Sequence, residues 1–112
     1  SVEKCGTTEE ARTWLKKFGK LVSGRLCLIT NRFREQDGGE MAWRRSLEMI
    51  RGQKGLQNVL VIIFCGEAAK VCEELGKTKW KNVQVTNSII ELEKFSKTFE
   101  TTNNQQQTTL EM

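Results

Sequence analysis

The feature that most restricts the fold of this sequence is an unbroken apolar run, Val59–Cys65. It contains seven consecutive apolar residues, and most of them are β-branched. A strand that is apolar on both faces has to be covered on both faces, as in a parallel sheet enclosed by helices. This is the longest apolar run in the chain, and it falls well short of the roughly 20 residues that span a membrane. The sequence therefore predicts a small α/β domain with Val59–Cys65 as a central strand, and no contact with a membrane.

Four amphipathic segments indicate helices around this strand. The first has apolar residues at three- and four-residue steps, and these include Trp14 and Phe18, which we therefore expect in the core. Capping-box pairs, Thr7 with Glu10 and Ser88 with Glu91, predict where the first and last helices begin. The predicted helices cover 7–22, 41–51, 66–76 and a stretch that starts at 88.

The predicted strands alternate with these helices. Leu26–Thr30 is a short apolar run, Val83–Val85 is a weaker one, and Val2–Cys5 supplies a candidate fourth strand. A helix followed by three strand–helix units favours parallel pairing with right-handed crossovers. We predict an open, mostly parallel sheet of three or four strands with helices on both faces, in a Rossmann-like or flavodoxin-like layering.

The C-terminal end differs in composition from the rest of the chain. Residues 101–112 are mainly Thr, Asn and Gln, and they offer little apolar surface to offset the entropy of ordering them. We expect residues 1–100 to form one domain and residues 101–112 to be a disordered polar tail or linker.

The composition argues against an enzyme. The chain has no histidine, which removes Ser-His-Asp, Cys-His and most zinc-hydrolase arrangements. Neither type of glycine-rich nucleotide loop is present, and the four cysteines include no Cys-x-x-Cys pair. We expect no catalytic residue, no metal and no cofactor, and we interpret the cysteines as reduced thiols of a cytoplasmic or nuclear protein.

Binding residues are predicted where the strands end, because ligands of open parallel sheets bind outside the carboxyl ends of the strands. The loop after Thr30 carries Arg32 and Arg34, whose planar guanidinium groups suit phosphates or carboxylates. The same loop ends with Asp37 and Glu40, which we interpret as the caps of the next helix. The other binding candidates are Arg44 and Arg45 in that helix, and Lys79 and Trp80 in the basic linker 77–81.

Cys5 is the one candidate nucleophile. It precedes the predicted start of the first helix, where the amides of Gly6, Thr7 and Thr8 would stabilise a thiolate or hold a phosphate. This arrangement resembles the phosphate loop of small tyrosine phosphatases, but Arg12 lies one residue too far along the chain for that loop. A Cys5-dependent phosphoryl-transfer enzyme is therefore the least favoured function.

The charge is unevenly placed along a chain whose net charge is +4. Residues 1–60 hold twelve Lys and Arg against seven Asp and Glu, whereas residues 61–112 hold six against seven. Such an excess suits nucleic acid, with Arg32, Arg34, Arg44, Arg45 and Lys54 as contacts. The main expectation is nevertheless a non-enzymatic protein–protein interaction module within a larger protein or assembly, with nucleic-acid binding as the first alternative.

Overall fold

Strands and helices alternate along the chain in the predicted order. The computed structural model describes residues 2–22, 26–31, 35, 38–94 and 108–112. The strands are β1 (Val2–Lys4), β2 (Leu26–Asn31), β3 (Leu60–Phe64), β4 (Val83–Thr86) and β5 (Thr108–Glu111). The helices are α1 (Thr8–Val22), α2 (Ala42–Arg51) and α3 (Ala68–Gly76), and residues 89–94 are also helical. Within the described residues no helix is long and apolar enough to cross a membrane.

The five strands form one parallel sheet in the order β1-β5-β2-β3-β4. The small α/β fold is confirmed, with one strand more than the three or four predicted. The apolar run Val59–Cys65 supplies β3, which pairs with β2 on one side and β4 on the other. Its interior position agrees with the prediction: β3 is paired on both edges, and five of the seven apolar residues are buried, with Leu60 and Phe64 half-buried.

The additional strand, β5, lies in the segment that we expected to be a disordered tail. It pairs with β1 through Val2↔Thr109 and with β2 through Leu28↔Leu110, and Leu110 is fully buried. The expectation of disorder is therefore wrong for residues 108–112, while residues 101–107 lie outside the described residues. A strand inserted between two others forms backbone hydrogen bonds on both edges, and threonine has a high β-propensity. This segment therefore forms a strand with a single leucine as its large apolar residue.

Helices α1, α2 and α3 cover one face of the sheet, which we call the core face. Strands β1 to β4 follow one another in a single direction across the sheet, and right-handed crossovers then place all three connecting helices on the same side. α1 packs against α2, α2 lies on β2, and α3 lies on β4. The buried residues of this layer include Ala11, Leu15, Leu28, Trp43, Leu47, Ile50, Val61, Ile63, Val71 and Leu110.

The opposite face of the sheet is buried at its centre. Cys27, Ile62 and Thr109 are buried there, on the strand positions that alternate with those of the core face. Leu92, from the helical residues 89–94, lines a cavity together with Ile29 and Phe64 of this face. The β4-to-β5 connection thus begins by approaching the face that α1, α2 and α3 leave open.

The start of α2 differs from the prediction that Asp37 and Glu40 cap it. Its N-cap is Met41, where no side chain makes a capping hydrogen bond, and Asp37 lies outside the described residues. Gly38 and Gly39 both have positive φ, 89° and 66°, and the turn that they form brings Met41 to the N-cap position. The capping interpretation of Glu40 is therefore wrong for α2.

Candidate functional site

The predicted binding arginines that can be located lie near the carboxyl edge of the sheet, where the strands end. Arg44 and Arg45 occupy the first turn of α2, and Arg32 and Arg34 lie outside the described residues. Arg44 Nε is 3.2 Å from Glu48 Oε1, so part of its charge is neutralised within the helix. Arg45 is exposed beside Gly38, where an added Cβ would lie 3.2 Å from Arg45 Nε.

The other predicted binding residues lie at the amino edge of the sheet, where the strands begin. Lys79 is exposed in the linker before β4, and Lys54 is exposed in the loop before β3. Trp80 is half-buried and packs against the core. The described candidates therefore divide between two opposite edges and do not form one binding surface.

The amino end of α1 is occupied by its own carboxylate. Glu10 N donates to Thr7 Oγ1 at 3.2 Å, and Gly6 N donates to Glu10 Oε2 at 2.7 Å. The predicted capping pair Thr7–Glu10 is confirmed, with the glutamate accepting from Gly6. Of the three amides predicted to hold a phosphate beside Cys5, that of Gly6 is thus already bound to a carboxylate.

Cys5 lies in surroundings that oppose ionisation. Burial raises the pKa of the Cys5 thiol above its ordinary value, and the negative charges of Glu10 and Glu3 raise it further. A reactive cysteine needs the opposite shift, because the thiolate is the nucleophile. The thiol of Cys5 contributes instead to packing against the core.

An open apolar groove runs along α1 beside β1, and we call it the aromatic groove. Its volume is about 440 Å³. Trp14 and Phe18 form its wall, with ring centroids 5.4 Å apart and planes tilted by 45°. Trp14 is half-buried, whereas Phe18 is 41% exposed. The residues that line it are Cys5, Glu9, Glu10, Thr13, Trp14, Lys17 and Phe18.

The aromatic groove corrects the prediction that Phe18 belongs to the core. Helical periodicity places Phe18 on the apolar side of α1, but α2 packs against only part of that side. Leu15 is buried and Phe18 is exposed, so part of the apolar side of α1 is left uncovered, next to an edge strand, β1, whose three residues are all exposed. A partly exposed tryptophan–phenylalanine pair is the kind of surface that protein interfaces use as an anchor.

A second cavity lies at the carboxyl edge, where ligands of parallel sheets bind. Its volume is about 190 Å³, and Asn31, Phe64, Leu92 and Glu111 are among the residues that line it. Small-molecule sites occupy about 300–1,000 Å³, so this cavity is small for such a ligand. Within the described residues no group of three or more Cys, Asp or Glu side chains is arranged to hold a metal ion.

Comparison with protein-family models, with curated proteins and with solved structures finds no match for this chain. The fold defines a small parallel α/β domain, and its function has to be argued from the geometry of its own residues. Of the two cavities described, the aromatic groove has the larger volume, and it presents the exposed side chain of Phe18 beside the half-buried Trp14.

Proposed function

We propose that this chain is a non-enzymatic protein-interaction module that binds its partner in the aromatic groove. The observation that carries the proposal is the exposure of Phe18 next to the half-buried Trp14 in an open apolar groove. Aromatic side chains dominate binding energy at protein interfaces because they bury a large area at low entropic cost.

The two ends of the groove differ in charge. Glu9 and Glu10 lie at the end near Cys5, and Lys17 lies about two helical turns further along α1. Glu9 pairs with Arg12 on the outer side of the helix. A partner with an apolar side chain in the groove and a basic residue near its Cys5 end, where Glu3 and Glu10 lie, is complementary to this arrangement.

The two alternative functions have weaker support. Nucleic-acid binding would draw on cations that lie at opposite edges of the sheet, one of which, Arg44, is already paired with Glu48. A phosphoryl-transfer enzyme would place a phosphate at the amides of Gly6, Thr7 and Thr8, and the first of these is bound to Glu10. We therefore place both behind the interaction module.

The proposal is tested by selecting peptides from a random display library against the full chain and measuring their affinity by fluorescence anisotropy. Phe18→Ser removes the exposed anchor, and we expect it to weaken selected peptides at least tenfold, as hot-spot truncations do by about 1.4 kcal/mol or more. Ile90→Ser is the matched control, because Ile90 is an exposed apolar residue outside the groove. Failure of any peptide to enrich, or equal binding by Phe18→Ser, would contradict the proposal.

A further inference from the structure

We propose that the partner is an extended peptide that adds to the edge of β1 as a sixth strand and places an apolar side chain in the aromatic groove. This inference rests on the proposed function and names the form of the partner. Strand addition to a sheet edge uses backbone hydrogen bonds for affinity and side-chain pockets for specificity. The edge strand and the adjacent groove provide both.

The backbone of β1 has hydrogen-bonding groups that point away from the sheet. Cys5 N donates to Glu111 O at 2.9 Å, and Glu3 is in register with Leu110. Because successive residues of a strand direct their N–H and C=O groups to opposite sides, Glu3 and Cys5 bond to β5. Val2 and Lys4 therefore direct theirs outwards, along an edge on which every residue is exposed.

The side chains of β1 place an added strand beside the groove. Cys5 packs against the core, so Cys5 and Glu3 lie on the core face and Val2 and Lys4 on the other. Neighbouring strands lie about 4.8 Å apart, so a residue opposite Cys5 would have its side chain at the entrance of the aromatic groove. Backbone pairing and groove binding are therefore compatible in one peptide.

The charged residues of β1 favour a foreign peptide over a second copy of this chain as the added strand. Antiparallel pairing of two β1 strands over all three residues puts Glu3 opposite Glu3. A shift towards Cys5 puts Lys4 opposite Lys4, and the opposite shift leaves only Val2 of β1 facing its copy. Like charges directly opposite each other destabilise a strand pair. A foreign peptide avoids this repulsion when it carries a basic residue opposite Glu3.

The same geometry defines the pattern of the peptide. Residues opposite Glu3 and Cys5 are two positions apart, because alternate residues share a face. We expect selected peptides to carry a Lys or Arg and an aromatic or aliphatic residue separated by one position. Glu3→Lys should weaken these peptides several-fold, since it puts a positive charge opposite theirs.

The backbone contact is tested with the selected peptides and two variants of Lys4. Lys4→Pro removes the outward amide without touching the bonds of Glu3 and Cys5 to β5, and Lys4→Ala keeps that amide and removes the side chain. We expect Lys4→Pro to bind at least tenfold more weakly than Lys4→Ala. Equal unfolding midpoints of the two variants establish that the difference lies in binding.

Two further measurements leave the protein unaltered. Peptide binding should slow hydrogen exchange of the Lys4 amide, measured by NMR, and N-methylation of alternate peptide amides should weaken binding in one register only. If Phe18→Ser weakens the peptides but Lys4 exchange and N-methylation have no effect, strand addition is wrong and groove binding stands. If Phe18→Ser has no effect either, both proposals fail; if the chain instead dimerises through β1, the choice of a foreign peptide is wrong.

Discussion

The hydroxyl of Thr30, at the end of β2, donates a hydrogen bond to the hydroxyl of Ser46, in the middle of α2, at 3.2 Å. Both side chains are fully buried, and Ser46 in turn donates to the carbonyl of Ala42 at 3.1 Å. Thr8 Oγ1, in the first turn of α1, lies 3.5 Å from Ser46 Oγ. One serine therefore connects a strand and two helices beneath the carboxyl edge.

We expect Thr30→Val to lower the free energy of unfolding by about 1–3 kcal/mol, because a buried hydroxyl loses a partner while the side-chain volume is kept. Ser46→Ala and the double variant complete a mutant cycle, in which we expect a coupling of about 1 kcal/mol. Urea unfolding of the four proteins measures both quantities. Additive effects of the two substitutions would mean that the hydrogen bond contributes nothing.

The position of β5 predicts that Leu110 is a core residue. Leu110→Ala should lower the free energy of unfolding by about 2–5 kcal/mol, the usual cost of truncating a buried leucine. Val2→Ala in the neighbouring strand is the matched control, and its exposed side chain predicts a change below about 0.5 kcal/mol. An unchanged denaturation midpoint for Leu110→Ala would mean that residues 108–112 are not part of the folded core.

Arg51 is a buried cation that ties two loops together at the amino edge. Its Nη1 donates to the carbonyl of Leu56 at 3.2 Å and its Nη2 to that of Lys81 at 2.7 Å, and burial lowers its pKa. Arg51→Met should destabilise the fold by about 2–4 kcal/mol, because two carbonyls lose a charged donor. Arg44→Met, which removes only an exposed pair with Glu48, should cost less than about 1 kcal/mol in the same unfolding experiment.

Cys27 makes stability depend on pH in the alkaline range. Burial raises the pKa of its thiol from 9.0 to about 12. The stabilisation that this shift supplies is fully present below pH 9. Above pH 9 the Cys27 thiol ionises in the unfolded chain but stays protonated in the folded protein. The free energy of unfolding therefore falls by about 1.4 kcal/mol per pH unit until about pH 12. Cys27→Ala should show a shallower loss between pH 8 and pH 11, and an equally steep loss would contradict the assignment.

Much of this fold can be predicted from local patterns, and the exceptions have a common cause. The helices, β2, β3 and β4 carry periodicity, apolar runs or capping pairs such as Ser88–Glu91, in which Glu91 N donates to Ser88 Oγ at 3.3 Å. Thr108–Glu111 carries a single large apolar residue and becomes a strand because β1 and β2 flank it. The burial of β5 depends on its two neighbouring strands, so it cannot be predicted from any local segment of the sequence.

The candidate site could not be predicted from the sequence either, because it too depends on the assembled sheet. The periodicity of α1 identifies Trp14 and Phe18 as apolar-face residues but cannot tell which part of that face another helix covers. The answer depends on the strand order, which leaves β1 at an edge. The basic residues predicted to bind a partner, such as Arg44 and Lys79, are separated by the same topology.

The pairing of β1 with β5 joins residues more than a hundred positions apart, as in Val2↔Thr109. During synthesis the N-terminal strand leaves the ribosome first and waits for residues 108–111, an interval on the order of ten seconds at ordinary elongation rates. Before β5 is synthesised, β1 has no neighbouring strand and β2 has one unpaired edge. Unpaired strand edges can pair with other nascent chains. Closing so long a loop also raises the contact order, so we expect the pairing of β1 with β5 to slow the formation of the native sheet.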